Sequence, residues 1–156
     1  MLFRSLGAIF AGWASDRIFE NRRAPISFIM LVLLAISCYL FRIVPGDNWM
    51  GSLIILLFIG FFTFGPHILI VAAIPADFGS RKAASSVTGF IDAMGYLGAS
   101  LTGVGTGYLI EKIGWDAGFC FWIFGAIFAA IMTLLIWIYK EREVGSVLSQ
   151  RATIKL

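Results

Sequence analysis

Long apolar runs separated by short charged segments form the main pattern of the chain. Four of them, residues 24–41, 48–76, 83–110 and 117–139, contain at most one charged side chain each. A helix needs about 20 mostly apolar residues to cross the roughly 30 Å of hydrocarbon in a bilayer. The pattern therefore predicts four membrane-spanning helices.

A shorter apolar run, residues 2–15, precedes the four long ones. As a helix this run reaches only about 21 Å, which is less than the thickness of the hydrocarbon layer. The run therefore predicts either a re-entrant stub or a helix whose beginning lies before residue 1.

The number of Lys and Arg residues alternates from one charged segment to the next. The counts are three in residues 16–23, one in 42–49, two in 77–82, one in 111–116 and four in 140–156. Because basic loops stay on the cytoplasmic side, the alternation predicts five successive crossings and a cytoplasmic C-terminus. Residues 2–15 then cross from the outer face, and we expect an N-terminal portion of the protein to precede them.

Composition agrees with a lipid environment. Hydrophobic residues make up 60% of the chain and charged residues 13%, against about 25% charged residues in soluble domains, and the mean hydropathy is +0.92. The net charge of +3 is too small and too scattered to predict a nucleic-acid-binding surface. We expect an integral, multi-pass membrane protein.

The sequence offers little for catalysis or for a metal. Cys38 and Cys120 lie inside apolar runs without a second ligand at metal-site spacing, and we interpret both as buried thiols. No phosphate-binding loop or nucleophile motif is present, since the glycines are spread along helices. The sequence therefore predicts no catalytic residue, metal or cofactor, and a protein that is not an enzyme.

The first candidate motif lies at the end of the first run. It combines Gly12 with Asp16, Arg17, Arg22 and Arg23. Small residues allow a neighbouring helix to approach closely, and the charged residues can pair with helix ends or with each other at the water boundary. A solvated loop that only fixes the orientation explains the same residues equally well.

The second candidate lies in the third run. Pro66 lacks an N–H, so the carbonyl of Phe62 loses its partner and we expect a kink there. Irregular backbone at membrane depth is tolerated against protein or a water-filled cavity. Gly60, Thr63 and His67 share one helix face, which predicts a cavity or packing surface. His67 could bind substrate or protons, or act only as a structural hydrogen bonder.

The third candidate lies in the fourth run, where small residues recur every four positions and predict close helix packing. These residues are Gly95, Ala99, Gly103 and Gly107. Asp92 lies on the same side, as does Tyr96. A carboxylate inside a bilayer costs about 2.5–3.5 kcal/mol, so Asp92 should face protein or water. Its position near the cytoplasmic end favours a gate or structural hydrogen bond over a midplane substrate site.

Several of these segments, taken in order, resemble one family of membrane transporters. The segments are GWASDRIF (12–19) with RRAP (22–25), GFF (60–62) with FGPHILI (64–70), KAA (82–84), TGF (88–90), GYLGA (95–99) and GWDAGF (114–119). The first resembles the cytoplasmic loop motif of the major facilitator superfamily. The whole series is similar to its organophosphate:phosphate antiporter family, and the similarity extends to about residue 140.

The resemblance implies an all-α fold of twelve helices in two six-helix halves. Residues 1–140 then correspond to the end of helix 8 through helix 12, and residues 141–156 to a cytoplasmic tail. The arginines that hold the substrate phosphate in that family lie on its first and seventh helices, outside this chain. No phosphate-binding residue can therefore be assigned here.

The function implied by the resemblance is exchange of an organophosphate for inorganic phosphate by alternating access. The expected partners are the lipid bilayer, the N-terminal half of the transporter, a small phosphorylated metabolite and phosphate, in a bacterial inner membrane. Some members of the family are membrane sensors of sugar phosphate, which leaves sensing as an alternative. A third alternative is a short, non-transporting remnant.

Overall fold

The computed structural model describes the backbone of residues 2–19, 22–45, 47–73 and 81–154. The helices in this part of the chain are α1 (Leu2–Arg17), α2 (Arg23–Ile43), α3 (Trp49–Ile68), a π-helical turn (Leu69–Ala73), α4 (Arg81–Lys112) and α5 (Trp115–Ile154). Outside these helices the described residues form only short connections, which confirms the all-α class. Helix α5 continues past residue 140, where we expected the cytoplasmic tail to begin.

Three of the four long predicted spans are long and apolar enough, within the described residues, to cross a membrane. They are Arg23–Ile43, Trp49–Val71 and Trp115–Tyr139. Helix α4 also forms as predicted, and at about 48 Å it is long enough. Its glycines and hydroxyl side chains make it less apolar than the other three, so its crossing remains a prediction.

Helices α1, α2 and α3 meet in one buried cluster, which we call the core cluster. It consists of Ala11, Ala14, Ile26, Met30 and Leu69, with the partly buried rings of Phe19, Phe61 and Phe62 packed against it. Two of its members are alanines, and these small side chains allow the helix backbones to approach closely. In this cluster, small side chains of α1 meet larger apolar side chains of α2 and of the π-helical turn, and aromatic rings border them.

Helices α1 and α3 run parallel and in register. A Cβ atom on Gly7 would overlap the backbone carbonyl of Phe61. One turn further along both helices, a Cβ atom on Gly65 would lie 3.1 Å from the Cβ of Ala11 and would overlap the side chain of Met30. Gly7 is therefore required at its crossing point because the overlap is with rigid backbone, whereas at Gly65 a larger residue would first displace the flexible end of Met30.

The other end of α2 is joined to the beginning of α5. Arg42 Nε donates a hydrogen bond to Asp116 Oδ1 at 2.8 Å, and the rings of Phe41 and Phe119 lie 5.6 Å apart. Arg42 and Asp116 come from the two loops that the charge pattern assigned to one side of the membrane. The contact agrees with the predicted alternation of crossings.

A tight turn at Gly114 connects α4 to α5. Gly114 has a φ of 110°, a left-handed conformation that favours glycine, and its N–H donates to the carbonyl of Ile110 at 3.0 Å. Two turns away, Trp122 Nε1 donates to Thr106 Oγ1 at 3.0 Å. The two helices thus form a hairpin that is fixed by polar contacts as well as by apolar ones.

Two details differ from the sequence analysis. Cys38 is buried, but Cys120 is exposed, because the surface of α5 around it is not covered by another described helix. Gly12 does not mark a close helix contact, since a Cβ atom there would meet nothing within 4 Å. The close contacts of α1 are made by Gly7 and Ala11 instead.

The glycines of α1 provide a matched test of this packing. We expect Gly7→Ala to destabilise the protein by about 1–3 kcal/mol, because the new methyl group meets rigid backbone at Phe61. Gly12→Ala should leave stability unchanged or raise it, since its Cβ meets open space and alanine favours helix. Thermal unfolding of the detergent-solubilised protein measures both. Equal effects of the two substitutions would contradict the register of α1 and α3.

Candidate functional site

Helix α3 presents two different faces at the level of Pro66. Gly65, Pro66 and the adjoining Leu69 are buried against α1 and α2. At 3.6 residues per turn, Gly60, Thr63 and His67 lie on the opposite side, and we call these three residues the cavity face. Because one side of α3 is fully used in packing, the cavity face is turned away from the core cluster.

The cavity face is open within the described part of the chain. The side chains of Thr63 and His67 are exposed, and a Cβ atom on Gly60 would meet nothing within 4 Å. Thr63 Oγ1 donates to the carbonyl of Ile59 at 2.7 Å, and the His67 ring lies 5.7 Å from that of Phe64. An imidazole at membrane depth needs water or a protein partner, which makes this surface a candidate cavity wall.

The kink that we expected at Pro66 remains a prediction, and the structure adds a change of helix type three residues later. The α-helix continues through Pro66 to Ile68 and then changes to the π-helical turn Leu69–Ala73. At the junction, the backbone N–H of Leu69 donates to the carbonyls of both Gly65 and Pro66. π-Helical turns are rare and occur frequently at functional sites. The end of α3 is therefore an irregular segment directly beside the cavity face.

Helix α4 carries the second group of candidate residues. Asp92 is half-buried and Tyr96 is 73% exposed, and the Tyr96 carbonyl accepts a hydrogen bond from Ser100 Oγ at 2.9 Å. Among the described residues, no hydrogen bond, ion pair or ring contact joins Asp92 to His67. The two candidate groups therefore remain separate in this structure.

The ladder of small residues in α4 is also uncovered. A Cβ atom on Gly95, Gly103 or Gly107 would meet nothing within 4 Å, and Ala99 is exposed. No helix that the structure describes occupies this surface. Close packing by the ladder therefore remains a prediction.

The cytoplasmic loop motif forms the turn from α1 to α2. Asp16, Arg17 and Arg22 are exposed, whereas Arg23 is half-buried at the first position of α2. The N–H of Arg22 donates to the carbonyl of Phe19 at 2.7 Å, and the Phe19 ring packs against the core cluster. The charged side chains thus stand on a turn that is anchored by an aromatic residue.

Sequence reasoning missed the stripe of small residues that α1 uses for contact. Gly7, Ala11 and Ser15 recur every four residues and all three are buried. Ser15 is fully inaccessible, and its hydroxyl has no hydrogen-bond partner among the described residues. The same four-residue spacing of small residues predicted the ladder in α4. The sequence of α1 contains this spacing as well, but we did not interpret it as a contact surface there.

The chain is similar to known membrane proteins over most of its length. Residues 1–153 match the model of the Major Facilitator Superfamily. The chain is 30% identical to the glycerol-3-phosphate transporter of Bacillus subtilis over 84% of this chain and 30% of that protein. It is 33% identical to a membrane sensor protein of Escherichia coli over 84% of this chain and 29% of that protein.

A glucose-6-phosphate exchanger of Mus musculus is 34% identical over 87% of this chain and 28% of that protein. The chain thus spans 28–30% of the length of these three curated relatives. They are the kinds of protein found in the organophosphate:phosphate antiporter family, which confirms the resemblance seen in the sequence motifs. No solved structure matches the chain significantly.

Cysteine labelling can establish whether the cavity face meets water. With Cys38 and Cys120 replaced by alanine, we expect Thr63→Cys and His67→Cys to react with a charged, membrane-impermeant thiol reagent, because the reactive thiolate forms only in water. Leu135→Cys is the matched control, since Leu135 is 53% exposed on a membrane-spanning helix and should face lipid. Equally low labelling at all three positions would assign the cavity face to lipid.

Proposed function

The chain belongs to the major facilitator superfamily, and on that premise we propose that the protein carrying it exchanges an organophosphate for inorganic phosphate by alternating access. The substrate class is glycerol-3-phosphate or a sugar phosphate. The observation that carries this proposal is the match to relatives named for those compounds over most of the chain. The open cavity face of α3 supports it from the side of the structure.

The division of α3 into two faces suggests how the chain contributes. One face holds the helix rigidly against α1 and α2 through Gly65, while the other presents Thr63 and His67 to the central cavity. A hydroxyl group and an imidazole can both donate hydrogen bonds to a phosphate or to sugar hydroxyls. Residues 1–140 then form part of the C-terminal half of the transporter, and residues 141–156 form a cytoplasmic tail.

Charge neutralisation of the phosphate comes from elsewhere in the protein. The uninterrupted apolar runs of this chain carry no Lys or Arg except at their ends, whereas a phosphate inside a membrane needs cationic partners. The relatives extend well beyond the region matched here. We therefore assign the phosphate-binding arginines to the part of the protein that corresponds to the N-terminal half and helix 7 of these transporters.

The remaining candidate residues act at the cytoplasmic end. Asp16, Arg17 and Arg22 are exposed on the turn after α1, where they can form a latch with the other half of the transporter. Asp92 and the small-residue ladder of α4 lie on an open surface that can pack and slide at a gate. In this proposal the C-terminus lies in the cytoplasm, as the positive charge of the tail predicts.

Sensing of a sugar phosphate is the second candidate function. It is favoured by the sensor proteins of Escherichia coli and Salmonella typhimurium, which are 33% and 34% identical to this chain. A sensor binds the same ligands on the same fold but does not need to complete the transport cycle. A transporter and a sensor are therefore both expected to bind the sugar phosphate, but only the transporter exchanges it for inorganic phosphate.

Transport in proteoliposomes tests the proposal directly. Vesicles containing the full-length protein and loaded with phosphate should take up labelled glycerol-3-phosphate or glucose-6-phosphate, and uptake should stop when internal phosphate is omitted. Saturable binding without uptake would favour the sensor. Absence of both binding and exchange for every glycerol or sugar phosphate would reject the proposal.

The proposed gate predicts a specific effect at Asp92. We expect Asp92→Asn to lower the exchange rate roughly tenfold, because the charge-assisted hydrogen bond that we propose for Asp92 in the closed gate would be replaced by a weaker neutral one. Asparagine has nearly the same shape, so the fold should be retained. Asp47→Asn, in the exposed turn before α3, is the control and should exchange normally. An unchanged rate for Asp92→Asn would remove Asp92 from the gate.

A further inference from the structure

The hydroxyl of Ser15 differs from the other serine and threonine hydroxyls in the described helices that have assigned hydrogen bonds. Five of these donate to the carbonyl four residues earlier: Ser27, Ser37, Thr63, Ser100 and Thr133. Ser15 is 0% exposed and does not make this bond. A buried hydroxyl without a partner is unfavourable, and alanine would fill the same space. A partner in another conformation would explain why a hydroxyl is present at this position.

The register of α1 and α3 shows which element lies beside Ser15. Gly7 is level with Phe61 and Ala11 is level with Gly65. The same offset carried one turn further places Ser15 level with Leu69, the first residue of the π-helical turn. Leu69 is itself 1% exposed and belongs to the core cluster with Ala11. This register therefore places the buried Ser15 beside the π-helical turn, in a part of the structure that water does not reach.

The π-helical turn is the described element near Ser15 whose backbone pairing can change. A carbonyl in a π-helix accepts from the N–H five residues later, whereas in an α-helix it accepts from the N–H four residues later. When the turn converts from π to α, each carbonyl changes its hydrogen-bond partner. During this change a carbonyl is left without a partner. In a dry environment a released carbonyl needs a donor.

We propose that Ser15 is a positioning residue for a two-state turn at Leu69–Ala73. Its hydroxyl donates to a backbone carbonyl of this turn when the turn converts from π to α, and it has no partner in the π state. Ser15 thereby sets how readily the end of α3 changes conformation. The inference concerns the fold alone and holds whether the protein transports or senses its ligand.

Hydrogen–deuterium exchange of the full-length protein in lipid nanodiscs tests the proposal. Under this proposal, the amides of Leu69–Ala73 lose their hydrogen bonds, and exchange with solvent, while the turn converts. Ser15→Ala removes the donor that stabilises the converted turn, so we expect these amides to exchange about fivefold more slowly, the factor that one hydrogen bond of ordinary strength produces. Slower exchange after loss of a hydroxyl is not the result expected from a residue that only fills space.

Two further variants separate hydrogen bonding from packing. Ser15→Cys has a larger side chain and only a weak donor, so it should slow exchange as alanine does, whereas a packing effect would differ between a smaller and a larger residue. Ser37→Ala removes a buried hydroxyl that bonds within its own helix and should leave Leu69–Ala73 unchanged. Unchanged or faster exchange in Ser15→Ala would overturn the proposal.

Discussion

The close contact between α1 and α3 is the constraint on which the rest of the structure depends. Lipid is as apolar as leucine, so helices in a membrane gain little from hiding apolar side chains and associate mainly through close packing. Gly7, Ala11 and Gly65 allow this close approach, and Met30 of α2 completes it. Since these contacts fix the rotation of α3 about its axis, they also decide which of its side chains point away from the core cluster.

This rotation gives the same helix a structural role and a functional role. Gly65 and Pro66 face the neighbouring helices, so the irregular backbone near the proline is covered by protein, as a membrane environment requires. Thr63 and His67 consequently stand on the free side. The contacts at the crossing points therefore determine the direction of polar groups that lie up to one turn away, which connects the packing of this chain to its proposed cavity.

Much of the architecture could be predicted because the length of an apolar run and the charge of its ends reflect the thickness and the asymmetry of the membrane. The apolar runs form helices, and the contact between Arg42 and Asp116 joins two loops that were assigned to the same side of the membrane. The choice of contact face could not be predicted, because Gly12 and Gly7 look alike in a sequence and only the neighbouring helix distinguishes them. The exposure of Cys120 was missed for the same reason: an apolar run predicts membrane depth but not burial by protein.

The polar groups inside the membrane divide into two kinds, and the division indicates where this chain can change. Hydroxyls such as those of Ser27 and Thr133 bond within their own helices and remain satisfied however the helices move. In the described structure, Ser15 lacks such a bond, and His67 and Asp92 require partners from water or from other parts of the protein. The unpartnered hydroxyl of Ser15 lies beside the π-helical turn, and that position supports the two-state turn proposed above.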